Sequence, residues 1–200
     1  MGRLNYAAIA SLDGFIEDAR GRFDWAPPDE EVFRFINELE RLIRTSLYGR
    51  RMYESMLYWE TAPVDDSVPD FTRAWTEMWQ REEKVVYSRT LPSASSARTR
   101  LERSFDPDAV RHLKESTRGD LAVAGANLAG QAIQAGLVDE LQLFVVPVVV
   151  GDGKPWLPEG TGPKLELLES RRFESGFVFL RYRAEHGETA LSPKVEQGTV

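Results

Sequence analysis

The most constraining feature of the sequence is one stretch, residues 121–153, which reads LAVAGANLAGQAIQAGLVDELQLFVVPVVVGDG. An apolar run is followed by glycine, a segment with helical spacing, a second apolar run and a second glycine turn, which predicts strand, turn, helix and strand. Glycine between a buried strand and a helix lets a ligand approach backbone N–H groups at the positive end of the helix, where phosphate binds readily. The same pattern also forms plain corners, so both interpretations stay open.

Strand-like and helix-like segments alternate through the first two thirds of the chain. LNYAAIAS, SLYG, KVVYS and DLAVAG are typical of buried strands. The clearest helix is predicted in DEEVFRFINELERLIRTS, where apolar residues recur every three or four positions as Val32, Phe33, Ile36, Leu39, Leu42 and Ile43. A further helix is predicted in DPDAVRHLKEST, which begins with a capping Asp106 and Pro107.

The last third changes character, because ELQLFVVPVVV, KLELLESRRF and GFVFLRYRAE are strand-like runs without helices between them. Consecutive strands with short connections favour antiparallel pairing. The whole pattern predicts a three-layer α/β/α domain over residues 1–185, with a mixed sheet, a parallel core and antiparallel C-terminal strands. Residues 186–200 are predicted to form a polar tail.

Composition excludes several classes of function. The chain of 200 residues has no cysteine, which excludes disulfides, thiol catalysis and thiolate metal sites, and its two histidines argue against a His-based metal site. A net charge of −7 argues against general nucleic-acid binding, which needs a basic face. The apolar runs are far shorter than the roughly 20 residues that span a bilayer. With no pattern of a secretory signal at residue 1, we expect a cytoplasmic protein without a membrane partner.

Four turns follow predicted parallel strands, namely SLDG, YGRR, YSRT and AGAN. In doubly wound α/β sheets, ligands bind in the crevice beyond the carboxyl ends of the parallel strands. Each turn alone is a weak signal. Their joint placement favours a binding site at this edge of the sheet.

The same turns carry a resemblance to a known family. SLDGFI, LYGRRMYESM, KVVYSRTL and AVAGANLAGQAIQAGLVDELQLFVVPVVVGDGKPWLP resemble the family that joins dihydrofolate reductase to the C-terminal reductase domain of the bifunctional riboflavin-biosynthesis deaminase/reductases. The most specific element is GLVDEL, which begins eleven residues after Gly125. The resemblance runs from about Leu4 to Arg183. It implies a dihydrofolate reductase-like fold, NADPH across the strand ends, and a homodimer to which the FVVPVVV run contributes.

Carried over to this chain, the resemblance implies a set of cofactor-binding residues. They are Ala8, Ile9 and Ile16 at the nicotinamide, Gly49, Arg50, Arg51 and Met52 at the phosphates, Ser88 and Arg89 on the adenosine side, and Gly125, Ala126, Asn127 and Leu128 at the diphosphate. Where many family members have consecutive glycines, Ala126 is expected to bring a methyl group close to the diphosphate. Asn127 is expected either to cap the following helix or to offer its amide to the ligand.

Three acids are candidates for supplying a proton to a substrate. Asp13 in SLDG resembles the aspartate of the riboflavin-type reductases, and Glu30 lies about where dihydrofolate reductase has its substrate-binding carboxylate, with Asp29 as the alternative. A proton donor of this kind needs a raised pKa. Acids at a helix start also serve as caps, and Asp13 also suits a turn before Gly14, so structural roles stay open for all three.

The resemblance therefore implies an NADPH-dependent reductase that transfers a hydride to a small heterocyclic or carbonyl-type substrate. One alternative is a non-catalytic nucleotide-binding module on the same fold. The other is a true dihydrofolate or riboflavin-pathway reductase, which is the weaker because the chain lacks a deaminase part and a cleanly placed folate-binding acid. Trp75, Met78 and Trp79, at helical spacing, are interpreted as packing residues rather than cofactor contacts.

Overall fold

A computed structural model describes residues 2–160 and 162–185 of the chain. The predicted tail, residues 186–200, lies outside the described residues. In chain order the elements are β1 (Leu4–Ser11), β2 (Phe15–Asp18), α1 (Glu30–Glu40), β3 (Ile43–Gly49), α2 (Arg50–Met56), α3 (Tyr58–Thr61), α4 (Asp70–Arg81), β4 (Glu83–Tyr87), β5 (Thr99–Glu102), α5 (Pro107–Ser116), β6 (Asp120–Ala124), α6 (Ala126–Gln134), β7 (Glu140–Val146), β8 (Gly153–Pro155), β9 (Lys164–Arg172) and β10 (Val178–Glu185).

The main sheet has eight strands in the order β5-β4-β3-β6-β1-β7-β10-β9. The first six strands in this order, β5 through to β7, pair in parallel with their neighbours, whereas β10 pairs antiparallel with both β7 and β9. The predicted mixed sheet with a parallel core and antiparallel C-terminal strands is therefore confirmed. A separate two-stranded sheet joins β2 to β8. The sequence analysis missed it, because strands of four and three residues show no period of their own.

Helices cover both faces of the parallel part of the sheet. Val110 of α5 and Leu128, Ala129 and Ala132 of α6 pack on one face. On the other face, α1 packs against β7 and β10, and residues of α2 and α4 pack against Tyr48 and Val86. The three-layer arrangement follows from this. None of the helices in the described part of the chain is long and apolar enough to cross a membrane.

Helix α1 ends earlier than its apolar spacing predicts. The helix stops at Glu40, Leu42 is 57% exposed, and Ile43 already begins β3. The residues from Ile43 onward pair with β6 and β4, with Thr45 opposite both Leu121 and Glu83. Backbone pairing on both sides of β3 outweighs the continued helical spacing, because Ile and Thr fit a pleated surface better than a helix.

The GLVDEL motif has a structural role near the start of β1, at the opposite end of the parallel strands from the glycine turns. The carboxylate of Asp139 accepts a hydrogen bond from the backbone N–H of Leu4 at 2.7 Å and lies 2.6 Å from Nζ of Lys114. Lys114 is 4% exposed and also donates to the carbonyl of Leu137 at 2.7 Å. The ion pair of buried Lys114 with partly exposed Asp139 therefore ties the start of β1, helix α5 and the turn before β7 together.

Phe35 joins α1 to the sheet, and its truncation tests that contact. Its ring lies 4.9 Å from that of Phe179 and 5.5 Å from that of Phe173, and the residue is 8% exposed. Because the Phe35→Ala change leaves a cavity in this cluster, we expect the free energy of unfolding to fall by about 3–5 kcal/mol in chemical denaturation. The matched control is Phe23→Ala, at a position 62% exposed, with a change within about 0.5 kcal/mol. Similar losses in the two variants would contradict this account of the core.

Candidate functional site

The four predicted turns lie at one edge of the sheet. Strands β4, β3, β6 and β1 are consecutive neighbours and parallel, so their carboxyl ends point the same way. The turns that begin at Ser88, Gly49, Gly125 and Leu12 therefore form one row. This is the crevice that the sequence analysis expected for a ligand.

The two glycine turns in the centre of the row approach each other closely. Gly125 has a φ of +99°, and a Cβ atom added there would lie 3.5 Å from Cβ of Met52 and 3.9 Å from the backbone nitrogen of Gly49. A Cβ atom at Gly49 would in turn lie 3.9 Å from Cβ of Leu128. Gly125 is thus required by its backbone conformation, and neither glycine adds a side chain to the space between the two turns.

Two helices begin at these glycines without a capping side chain. Gly49 is the N-cap of α2 and Gly125 is the N-cap of α6, and neither helix start has a side-chain cap hydrogen bond. The N–H groups of a first helical turn have no partner within the helix, and they carry partial positive charge. Two such ends in adjacent turns create a surface suited to an anion.

The structure corrects two expectations for the turn after β6. Asn127 lies inside the first turn of α6 and is exposed, so it does not cap the helix. Ala126 is 1% exposed, so its methyl group packs inside the protein and does not narrow the crevice. Leu128 is also buried, at 4% exposure, and packs in the core with Ala129. At Ala126 and Leu128, only the backbone is available to a ligand.

Arg50 links two of the turns. Its Nη1 donates to Oγ1 of Thr90 at 2.7 Å and its Nε donates to Oε1 of Glu54 at 2.8 Å. Arg51 and Arg89 are exposed beside it. Ser88 is 8% exposed, and its hydroxyl accepts from the backbone N–H of Leu91 at 3.0 Å, so it organises the turn after β4.

Two further residues hold the segment after β4, and the sequence analysis did not single them out for this. The hydroxyl of Tyr53 accepts from the backbone N–H groups of Ser95 at 2.9 Å and Ser96 at 3.0 Å. Nη1 of Arg103 donates to the carbonyl of Leu91 at 2.6 Å. No sequence motif marks such contacts, because they join residues 12 to 43 positions apart.

Asp13 has a structural role in the turn after β1. Its carboxylate accepts from the backbone N–H of Gly151 at 2.7 Å and from that of Val150 at 3.1 Å. The Ser11 hydroxyl, together with the backbone N–H groups of Gly151 and Val150, lowers the pKa of Asp13 to about 2. The lowered pKa fits the structural role of a turn residue, and a role of Asp13 as proton donor stays a prediction.

The other two acids lie at the start of α1. Asp29 is the N-cap and accepts from the backbone N–H of Val32 at 2.9 Å, and the Ser175 hydroxyl and that N–H lower the pKa of its carboxyl. Glu30 pairs with Nε of Arg34 at 2.9 Å and is 63% exposed. The structural interpretation therefore accounts for Asp29, whereas Glu30 makes only a side-chain ion pair among the described residues.

The three residues expected at the nicotinamide do not share one surface. Ala8 contacts the cluster under α6 and Ile9 contacts the cluster under α1, because consecutive residues of a strand face opposite ways. Ile16 lies in β2, after the turn. A flat ring at the end of β1 therefore meets the side chain of Ala8 or of Ile9, but not both.

Trp156 belongs to this part of the site, and the sequence analysis missed it. Its backbone N–H donates to the carbonyl of Gly14 at 3.0 Å, and its ring lies 6.2 Å from the ring of Tyr6, nearly parallel to it. A Cβ atom at Gly14 would come within 3.7 Å of the indole. The partner strand of β2 places Trp156 there, and the short β2–β8 pairing has no sequence signal.

Among the residues that the structure describes, no group of three or more His, Asp or Glu side chains could hold a metal ion.

Comparison with known proteins identifies relatives over nearly the whole chain. The family model described as the RibD C-terminal domain matches residues 3–179. The protein YyaP of Bacillus subtilis strain 168 is 31% identical over 176 residues, which cover 86% of this chain and 89% of YyaP.

Solved structures show the same fold at low sequence identity. A Shewanella sp. PV-4 protein ascribed to riboflavin biosynthesis has a TM-score of 0.73 at 18% identity, covering 92% of this chain and 99% of its own. Dihydrofolate reductase from Enterococcus faecalis, in complex with NADP(H), has a TM-score of 0.61 at 14% identity, covering 92% of this chain and 98% of its own. The dihydrofolate reductase-like fold is therefore confirmed.

The requirement for glycine at residue 125 is tested by a matched pair of substitutions. Gly125→Ala forces a side chain into a backbone conformation that only glycine adopts readily, so we expect the free energy of unfolding to fall by about 2–3 kcal/mol. Gly21→Ala is the control, since Gly21 has a φ of +76° and a Cβ atom there would meet nothing within 4 Å. Its expected loss is about 1 kcal/mol. If chemical denaturation showed a smaller loss in the free energy of unfolding for Gly125→Ala than for Gly21→Ala, the requirement for glycine at residue 125 would be contradicted.

Proposed function

Because the chain belongs to the family of RibD C-terminal domains, we propose that it is an NADPH-dependent reductase acting on a small heterocyclic or carbonyl-type substrate. The observation that carries the proposal is the row of turns at the carboxyl ends of β4, β3, β6 and β1, with two uncapped helix starts at its centre. Membership of this family supports a reductase domain in general. The cofactor, the substrate class and the residues named below are our proposals.

The residues at the glycine turns fit a diphosphate. Gly49 and Gly125 add no side chain of their own between α2 and α6, and the two uncapped helix starts offer backbone N–H groups there. With the methyl group of Ala126 buried, nothing in this turn opposes the close approach of phosphate oxygens. We assign the diphosphate to the backbone of Arg50, Arg51, Ala126 and Asn127.

The adenosine end is assigned to the turn after β4. Arg50 and Arg89 flank this turn, and the contacts of Tyr53 and Arg103 hold the following segment in place. The extra phosphate of NADPH carries about two negative charges, which arginine binds well through paired hydrogen bonds. Because Thr90 already restrains Arg50, little side-chain entropy is lost when the guanidinium binds an anion.

The nicotinamide end is assigned to the end of β1, on the face of Ala8 and Trp156 and next to Ile16. NADPH supplies a hydride, and the protein's part is to align the ring with the substrate in a dry pocket. We assign Asp13 a positioning role. By binding the N–H groups of residues 150 and 151, it holds that loop against the turn after β1. Glu30 remains the candidate for proton delivery, because its carboxylate is not held by backbone N–H groups.

A nucleotide-binding module without catalysis is the second candidate function. One observation favours it: Asp13 and Asp29 both have lowered pKa values, whereas a donor to an imine-like substrate needs a raised one. The two candidates share the cofactor and differ in turnover. If bound NADPH is not oxidised in the presence of pteridines, flavin precursors or carbonyl compounds, the module is favoured.

Cofactor binding and its selectivity are tested by titration. NADPH should quench the emission of the five Trp residues by energy transfer to the nicotinamide. Charge-assisted hydrogen bonds are worth about 1.5–3 kcal/mol each, so Arg50→Ala and Arg89→Ala should each weaken NADPH by roughly tenfold or more and spare NADH. Arg118→Ala is the matched control, since Arg118 is exposed just before β6, at the other edge of the sheet.

Two results of this titration carry opposite consequences. Equal losses for NADPH and NADH would move the two arginines to the shared diphosphate. No change in emission at roughly millimolar NADPH would remove both the reductase and the binding module.

We further propose that the protein is a homodimer formed through strands β7, β10 and β9, on the face of the sheet against which α6 also packs. On this face Leu143 pairs with Leu180 and Tyr182 pairs with Leu167, and all four are partly or fully exposed. Leu167 is 53% exposed on the edge strand β9. Of the FVVPVVV run, Phe144 and Val146 are buried under α1, so Val145 is the strand residue of that run available here.

The dimer is tested by light scattering during gel filtration. We expect a mass of two chains for the unmodified protein and one chain for Leu167→Lys, because a charge in an apolar interface is left without a partner. Lys substitution at Leu12, which is 65% exposed and lies away from β9, is the control and should leave the dimer intact. A single-chain mass for the unmodified protein would contradict the proposal.

A further inference from the structure

A second cavity lies on the α1 side of the sheet, between the end of α1, strand β3 and helix α4. Its volume is about 470 Å³, within the range of small-molecule sites. Trp75 and Trp79 of α4 and Tyr48 of β3 line it, and Glu40 and Glu82 contribute carboxyl groups. None of the residues assigned to NADPH takes part, so a ligand here would be additional to the cofactor.

The inner wall of the cavity is aromatic. Tyr48 and Trp79 are 4% and 2% exposed, and Nε1 of Trp79 donates to the hydroxyl of Tyr48 at 3.2 Å. Trp75 and Met78 are half-buried and line the same space. The sequence interpretation of these residues as packing holds for Trp79, while the other two also present surface to the cavity.

Two carboxyl groups from different elements meet in this cavity. Glu40 is the last residue of α1, and Glu82 directly follows α4 and accepts a hydrogen bond from the Ser46 hydroxyl. Glu40 makes no hydrogen bond or ion pair with any described residue. Burial, and for Glu40 also the charge of Glu82, raises the pKa of Glu40 to about 8 and that of Glu82 to about 7. Lys84 offsets part of the charge of Glu82, whereas Glu40 has no ion-pair partner among the described residues.

Arginines surround the mouth of the same cavity. Arg41, Arg44 and Arg81 line it and are exposed. Nη1 of Arg44 donates to the backbone carbonyls of residues 41 and 43, and the Arg81 guanidinium lies 3.8 Å from the Glu77 carboxylate. No described carboxylate forms an ion pair with Arg41 or Arg44. The exposed guanidinium groups thus lie at the mouth of the cavity, and the carboxyl groups of Glu40 and Glu82 lie deeper in it.

We propose that this cavity binds a small aromatic zwitterion, with its ammonium group at Glu40 and Glu82, its ring against Trp75 and its anionic group at Arg41 and Arg44. An ammonium group supplies the positive charge that Glu40 lacks, and the aromatic wall stabilises both ring and cation. The guanidinium groups suit a carboxylate or a phosphate at the other end. This site does not depend on the proposed reductase function.

Binding is tested with 4-(aminomethyl)benzoate, which carries an ammonium group and a carboxylate at opposite ends of one ring. Since Trp75 and Trp79 line the cavity, the compound should change the tryptophan emission of the protein. Benzylamine lacks the anion and 4-methylbenzoate lacks the cation, so each should bind roughly tenfold more weakly or worse. Equal affinities for the three compounds, or no change in emission at about 10 mM, would overturn the proposal.

Variants assign the two ends of the ligand. Glu40→Gln should weaken the binding of 4-(aminomethyl)benzoate by roughly tenfold and leave that of 4-methylbenzoate unchanged. Arg41→Ala should weaken the binding of 4-(aminomethyl)benzoate by a similar factor and leave that of benzylamine unchanged. Glu38→Gln, at an exposed position on the same helix, is the control and should change neither. Arg41 is exposed, so its variant decides the outcome even if a change at Glu40 prevents folding. Unchanged affinity in both cavity variants would refute the site.

The pH dependence gives an independent readout. Glu40 faces Glu82 and Tyr48, with Lys84, Arg44 and Arg81 as the nearby cations. Because the ammonium group needs ionised carboxyls, affinity should rise from pH 6 to pH 8.5, through the raised pKa values of about 7 and about 8. In the protein without ligand, stability changes with pH in the opposite direction.

The raised pKa of Glu40 contributes stability that is fully present below the pKa of the unfolded chain and is lost as the pH rises to about 8. The melting temperature should therefore fall over that range, and it should fall less in Glu40→Gln.

Discussion

The parallel pairing of β6 with both β1 and β3 is the constraint on which the proposed site depends. It places the ends of three strands side by side, so that the turn at Gly125 lies between the turns at Gly49 and Leu12. Gly125 adopts a φ of +99°, which lets α6 begin close to α2. Without that pairing, the two uncapped helix starts would not face a common surface, and an anion would meet only one of them.

Much of this arrangement is predictable from sequence, because it follows from local patterns. Asp106 and Pro107 mark the start of α5, and the structure has Asp106 as the N-cap with Pro107 in the first turn. The apolar runs, the glycines after them and the late antiparallel strands are likewise short-range signals. Side-chain direction is less predictable. Ala126 was expected to face the phosphates, but its methyl group is 1% exposed, because the first residue of α6 points into the core.

The features that sequence analysis missed depend on distant residues. Trp156 reaches the β1 turn only through pairing of β2 with β8, and Tyr53 holds residues 95 and 96 from another element. The end of α1 is set by the two neighbours of β3 rather than by its own spacing. The contact of Asp13 with the backbone N–H of Gly151 also depends on a distant residue, because the two lie 138 positions apart. The cap of Asp29 on the N–H of Val32 is local, and the sequence analysis names it as one of the two alternatives.

The central claim is that the turns at Gly49 and Gly125 hold the diphosphate of a nicotinamide dinucleotide. The most direct measurement is a crystal structure of the protein soaked with NADPH. We expect diphosphate oxygens within about 3 Å of backbone N–H groups at the starts of α2 and α6, and the nicotinamide at the end of β1. NADPH bound elsewhere on the protein, or a diphosphate held only by side chains away from these two glycines, would contradict the account.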